Sequence, residues 1–134
     1  MEKVAPPVPV PDDVTAPFWA ATARGELHIQ RCLGCRRFQQ PPAPLCTHCA
    51  GADLRFEPVT GRARLHSWTR TCAGTRHPAF DERTPYLVAL VELVEQEGLF
   101  LYTNLQDPVP AGTELEVGFE GRHGFALPRF RPVP

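Results

Sequence analysis

Five of the 134 residues are cysteines, and four of them fall in two tight pairs, Cys32-Leu33-Gly34-Cys35 and Cys46-Thr47-His48-Cys49. Two Cys-x-x-Cys pairs joined by a short arm set four thiolates around one ion, each pair chelating from a tight turn. The arm here is Pro-rich, Phe38-Gln39-Gln40-Pro41-Pro42-Ala43-Pro44. An all-sulfur shell has no open position for water, so its chemistry is structural and not that of a Lewis acid. Zinc suits a soft tetrahedral site best, and iron is the rival metal. Disulfides fit worse, because an odd cysteine count and the lack of a signal-peptide pattern point to a reducing compartment. His48 lies between two ligands of a shell that is already full, which makes it a surface residue or a donor to sulfur.

Strands must hold the thiolates. Leu27-His28-Ile29-Gln30-Arg31 alternates into the first pair and Leu54-Arg55-Phe56-Glu57-Pro58-Val59 out of the second, the layout of a zinc ribbon over residues 27–59. Gly34, two residues after Cys32, suits the first turn. A ribbon of about thirty residues buries too little apolar surface to stand alone, so a larger core is expected later in the chain. Residues 1–12 carry four prolines and read as an extended tail. Within residues 13–26, Asp13 and Thr15 are candidate caps, and Pro17 opens a short helix that stops at Gly25.

From residue 60 to 134 the chain reads as β. Arg62–Thr71 alternates Ala63, Leu65, Ser67 and Thr69 with larger polar or aromatic residues, and Tyr86–Leu93 is an apolar run fit for a buried central strand. Leu99–Leu105, Glu114–Glu120 and a short Gly124–Leu127 complete five strands, with Gln96-Glu97-Gly98 as a hairpin turn. That spacing predicts a five-stranded OB-like β-barrel. The longest connection, Cys72 to Thr84, joins the first two barrel strands, where OB-like barrels engage ligands. Cys72 itself reads as a small buried hydrophobe.

The net charge of −1 is laid out unevenly. Residues 24–83 hold ten arginines against five acids, and residues 84–121 hold seven acids and no Lys or Arg. The first stretch suits an anion or offsets the negative tetrathiolate, and the second supplies a solvated acidic face. A nucleic-acid module, with Trp68, Phe80, Tyr86 and Phe100 as stacking platforms, is disfavoured by that acidity. An independent enzyme is disfavoured too: His28, His48, His66, His77 and His123 with Asp81, Ser67 and Cys72 form no spacing of nucleophile, base and orienting group. No apolar run reaches membrane-spanning length, and a cytoplasmic location is expected.

Phe18-Trp19, Gly25-Glu26-Leu27, Gln30-Arg31-Cys32, Pro41-Pro42, Pro85-Tyr86, Thr103-Asn104-Leu105 and Pro128-Arg129-Phe130, in this order around the cysteine pairs, resemble the family of acyl-CoA-associated proteins that couple a rubredoxin-like zinc ribbon to an OB-fold. The resemblance covers about residues 15–132 and implies a mainly β fold with a short N-terminal helix. It implies that Cys32, Cys35, Cys46 and Cys49 hold the metal, and it supplies no catalytic motif to carry over to this chain. It further implies an accessory subunit in a hetero-oligomer with a thiolase-like protein, a carbon-carbon lyase (aldolase) of steroid side-chain degradation, with acyl-CoA at the shared site. A MaoC-like hydratase or an acyltransferase complex is the alternative. Coenzyme A phosphates suit arginine and its pantetheine arm an apolar channel, so Arg36, Arg37, Arg76, His77 and Phe80 are candidate acyl-CoA or partner contacts. Phe18 and Trp19, adjacent on a short helix, are candidate partner-interface residues.

Overall fold

A single turn fixes the start of the helix. Asp12 Oδ1 accepts from the backbone N–H of Val14 (2.9 Å) and Thr15 (2.8 Å), while Thr15 Oγ1 accepts from Asp12 N. Asp12, one residue before the expected Asp13, therefore organises the entry, and helix α1 runs over Ala16–Ala23 with Pro17 in its first turn. Gly25, at φ +77, ends it. This computed structural model describes residues 5, 7–72, 79 and 85–134. Arg76, His77 and Phe80 lie outside the described residues.

After α1 come β1 (His28–Cys32), β2 (Phe38–Gln39), β3 (Leu54–Pro58), β4 (Arg62–Thr71), β5 (Tyr86–Leu93), β6 (Phe100–Leu105), β7 (Glu114–Arg122) and β8 (Phe125–Pro132). The first three form an antiparallel sheet in the order β2-β1-β3. Its middle is polar. Gln39 Nε2 donates to Gln30 Oε1 (2.6 Å) and Leu45 O, Gln30 bonds both N and O of Ala43, and Thr47 N and Oγ1 donate to Gln39 Oε1. These two amides pin the Pro-rich arm to the sheet, which is why β2 exists inside a stretch whose prolines hide it in the sequence.

The other five strands form an antiparallel sheet in the order β6-β5-β4-β7-β8. This is the OB-like arrangement, with β4 and not β5 at the centre. Each neighbour is antiparallel, so the two edges β6 and β8 run the same way. They are not joined by a ladder. Pro128 has no N–H to offer at that seam, and side chains close it instead: Thr103 Oγ1 accepts from Phe130 N (3.3 Å) and donates toward Pro128 O (3.4 Å), and Arg129 Nη1 donates to Asn104 Oδ1. The last strand runs past the expected Leu127 to Pro132, since prolines are tolerated at an edge.

β4 pairs Leu65 with Val91 and then Ser67 with Leu90, which leaves His66 bulged. The extra residue reverses the expected faces. Ala63 and Leu65 point into the core, but Ser67 and Thr69 turn outward, and Trp68 and Arg70 come opposite the inward Ala89 and Leu87. β5 is also not buried on both sides: Leu87, Ala89, Val91 and Leu93 are buried, while Tyr86, Val88, Leu90 and Glu92 are half-buried.

The two sheets share one apolar core. Phe18 of α1, Leu27, and Ile29 of β1 pack with Leu65, Val91, Leu93, Leu115 and Phe130 of the barrel. A second tie is polar: Gln96 Oε1 accepts from Phe38 N (2.8 Å) and Gln96 Nε2 donates to Phe38 O (3.0 Å), so a side-chain amide continues the edge of the ribbon. Between the sheets Gly61 sits at φ +79 directly against Val117, where any Cβ would strike the Val117 side chain.

Candidate metal centre and the adjoining cleft

Both knuckles are built alike. Arg36 N donates to Cys32 O (2.8 Å) and Ala50 N to Cys46 O (2.9 Å), and the residue after each second cysteine takes a left-handed conformation, Arg36 at φ 70 and Ala50 at φ 63. The strained positions are thus Arg36 and Ala50, and Gly34 has no positive φ. The turns aim amides at sulfur: Cys35 N donates to Cys32 Sγ (3.5 Å), and His48 N and Cys49 N donate to Cys46 Sγ (both 3.4 Å).

The four sulfurs lie within 4.8 Å of one another, with Cys32–Cys49 and Cys35–Cys46 each 3.6 Å apart. A zinc–sulfur bond of about 2.3 Å in a tetrahedron implies sulfurs about 3.8 Å apart, so the cage has the right size. Gly51 lies close to the cage, where a Cβ would stand 3.2 Å from Cys49 Sγ and crowd it by a few tenths of an ångström. The Cys49 and His48 amides draw the Cys46 thiol down to about 6. At Cys49 the Gly51 amide also pulls downward, but the neighbouring sulfurs of Cys32 and Cys46 outweigh it and push the thiol up to about 11. One thiolate forms readily and the last resists, and a dication removes that conflict. The donor set fits a structural zinc ion held by Cys32, Cys35, Cys46 and Cys49.

The other expected site residues scatter. Arg36 and Arg37 are exposed on the first knuckle, away from the sheet interior. Phe18 is buried at 6% exposure, while Trp19 beside it is half-buried and packs edge-on against Phe125, with ring centroids 6.1 Å apart. Cys72 is exposed, contrary to the expected buried position, because it lies just past the end of β4. Among the described residues no histidine ring hydrogen-bonds a Ser, Cys or Asp side chain: His48 and His123 are exposed, and the His66 ring packs tilted against Phe100 with centroids 4.9 Å apart. His28 Nε2 is buried without a hydrogen bond, 3.6 Å from Glu26 Oε1.

Two joined clefts follow the β6–β8 seam, and neither was visible in the sequence. One, of about 710 Å³, is lined by Phe18, Trp19, Pro41, Val88, Leu90, Tyr102 and Leu127 among others. The second, of about 820 Å³, shares Tyr86, Asn104, Leu127 and Arg129 with it and adds Phe119, Arg122 and Arg131. Glu120 ties Arg122 (2.7 Å) to Arg129 (2.8 Å), and these guanidinium donors, Arg122 foremost, hold its carboxyl below the usual glutamate range. Arg131 meets Glu116 at 3.3 Å. The acidic stretch is therefore not a purely solvated face, since arginines from beyond it in sequence fold back onto Glu116 and Glu120. Among the described residues no helix is long and apolar enough to cross a membrane.

Comparison with known proteins accords with this architecture. Residues 19–55 match the ChsH2 rubredoxin-like zinc ribbon domain, and residues 56–120 match the ChsH2 C-terminal OB-fold domain. A solved chain of an Ltp2-ChsH2(DUF35) aldolase is 34% identical, with a TM-score of 0.78 over 93% of this chain and 98% of that one. A DUF35 protein of unknown function from Sulfolobus solfataricus, 19% identical with a TM-score of 0.59 over 75% of this chain and 74% of that one, shares the fold. A probable enoyl-CoA hydratase alpha subunit of Thermomonospora curvata is 36% identical over 124 residues, which take in 87% of this chain. This chain spans only 37% of that relative's length.

Proposed function

The chain belongs to the ChsH2 (DUF35) family of zinc-ribbon and OB-fold proteins, and from that premise we propose that it is the accessory subunit of a thiolase-like acyl-CoA enzyme, an aldolase of steroid side-chain degradation in the cytoplasm. The observation that carries this reading is the likeness, end to end, to a chain of a two-component aldolase. The described residues support it by what they hold: a saturated sulfur shell and dispersed histidines, which leave bond breaking to the partner. The subunit's contribution is to keep the partner's acyl-CoA channel in productive geometry, so its loss costs positioning.

A second reading, a subunit of an acyl-CoA hydratase, draws on the identity to the hydratase alpha subunit. The two differ in chemistry. An aldolase cleaves a β-hydroxyacyl-CoA, and a hydratase makes one from an enoyl-CoA. Co-expression with a thiolase-like protein encoded beside this chain, followed by assay of both substrates, tests them. The expected outcome is a stable complex that cleaves the hydroxyacyl-CoA faster than the thiolase-like protein alone. Full-rate cleavage by that protein alone sinks the reading, and hydration by a complex with a MaoC-like protein replaces it.

A further inference from the structure

We propose that the turn after β5, through the Gln96 side chain, couples the metal centre to the barrel: zinc bound by the four cysteines orders the turn, and the turn in return holds the zinc. One peptide group carries the connection. The C=O of Arg37 accepts from the backbone N–H of the ligand Cys32 (2.9 Å), and the N–H of Phe38, in the same planar unit, donates to Gln96 Oε1 (2.8 Å). A rigid plane with a bond at each end passes a displacement of the knuckle to Gln96, and bonds in such a chain polarise and strengthen one another. Gln96 Nε2 closes the contact by donating to Phe38 O (3.0 Å). The knuckle in turn keeps its shape through the ion, so without zinc the Arg37–Phe38 peptide loses its anchor at Cys32.

The turn grips the ribbon at two places. β2 and β3 are the outer strands of the ribbon sheet, and adjacent turn residues hold one each. Gln96 holds β2 at Phe38, and Glu95 Oε2 accepts from N and Oγ1 of Thr60 (both 2.9 Å), just past the end of β3. Arg31 braces Phe38 from the ribbon side. Its Nε donates to Arg36 O (2.7 Å) in the first knuckle, its Nη1 meets Glu57 (3.0 Å), and its guanidinium lies over the Phe38 ring at 4.5 Å. On the barrel side Leu99 N donates to Gln96 O (3.3 Å) and Gly98 N to Glu92 Oε2 (2.9 Å), so the turn leads directly into β6. Phe100 and Tyr102 of that strand line the cleft of about 710 Å³, and the state of the metal centre thereby bears on one wall of the cleft. Linkage makes the effect mutual: the turn changes zinc affinity by the same factor by which zinc shifts the turn.

The test is residue-resolved hydrogen exchange on the zinc-loaded full chain and on the same chain after zinc removal, with competition against a chromophoric chelator to measure zinc affinity. Gln96→Ala removes both contacts to Phe38, while Gln96→Glu keeps the acceptor for Phe38 N and loses the donor to Phe38 O. Glu97→Ala, at an exposed position of the same turn, is the control. Protection of Val91, buried in β5, shows that each variant is folded. In the wild type, zinc removal is expected to speed exchange of Gly98 and Leu99 about tenfold, a factor usual for coupled sites, and to leave Val91 protected. Gln96→Ala should exchange Gly98 and Leu99 at one rate with or without zinc and bind zinc about tenfold more weakly. Gln96→Glu should fall between, and Glu97→Ala should match the wild type. Unchanged exchange at Gly98 and Leu99 on zinc removal overturns the coupling, as does wild-type zinc affinity in both Gln96 variants. Exposure of Val91 together with Gly98 and Leu99 overturns it too, since ribbon and barrel then open as one unit with no separate role for the turn.

Discussion

Gln30 and Gln39 fill the middle of the ribbon sheet with amide hydrogen bonds, whereas the middle of the barrel is aliphatic, with Leu65, Val91, Leu93 and Leu115 all at or below 2% exposure. Both regions are antiparallel sheets, of three and five strands, but they solve different problems of size. The ribbon is too small to exclude water with apolar side chains, so it relies on directional bonds and a metal. The barrel has enough apolar surface to rely on packing. Ile29 and Phe38 tie them, the first by burial and the second through Gln96. Directional and packed cores fail differently, and that difference can be measured.

The largest effect is expected at the metal. Cys32→Ser removes a ligand from a site whose zinc contributes on the order of 10 kcal/mol to ribbon folding. Elemental analysis should find little metal, and hydrogen exchange should show residues 28–58 unprotected while amides of β5 stay protected. A metal-free protein with a protected ribbon would erase the contrast between the two regions. Next, Leu115→Ala, at a side chain with 0% exposure, should cost about 2–5 kcal/mol by leaving a cavity. Chemical denaturation measures it, and zinc should remain bound below the transition. Loss of zinc in the folded variant would show that the two cores are one cooperative unit.

Gln39→Ala strips partners from Gln30 Oε1, Leu45 O and Thr47 N, and should cost about 1–3 kcal/mol. A chelator should then withdraw zinc faster than from wild type, and an unchanged release rate would mean the amide network does not support the knuckles. The smallest effect is at the seam. Glu120 has a folded pKa below its unfolded value, so its contribution is present above the usual glutamate range and fades as pH falls through the depressed value. The Glu120 side chain is 43% exposed, and solvent screening keeps the contribution small. Glu120→Gln should flatten the acid limb of stability, and an unaltered limb rules out the Arg122–Glu120–Arg129 link as its source.

Much of this could be read from residues alone because its physics is local. Cysteines three apart share a turn whatever surrounds them, so the ligand set needs no tertiary information. Pro17 and Gly25 bound the helix through their own backbone preferences, and alternation located β1, β3, β4, β6 and β7 to within a few residues. Alternation marks two faces, but it does not say which one the chain will cover. The apolar run of β5 therefore suggested a strand buried on both sides, and folding left Val88 and Leu90 facing a cleft. One bulged residue, His66, sent Trp68 and Arg70 to the opposite face, and nothing in the residue pattern marks where a strand gains one position. Gln96 and Phe38, 58 residues apart, and the Thr103, Asn104 and Arg129 contacts across the β6–β8 seam are pairings between side chains with no local signature. Their partners are chosen only when the sheets pack, because a hydrogen bond depends on where two groups arrive in space and not on their distance along the chain.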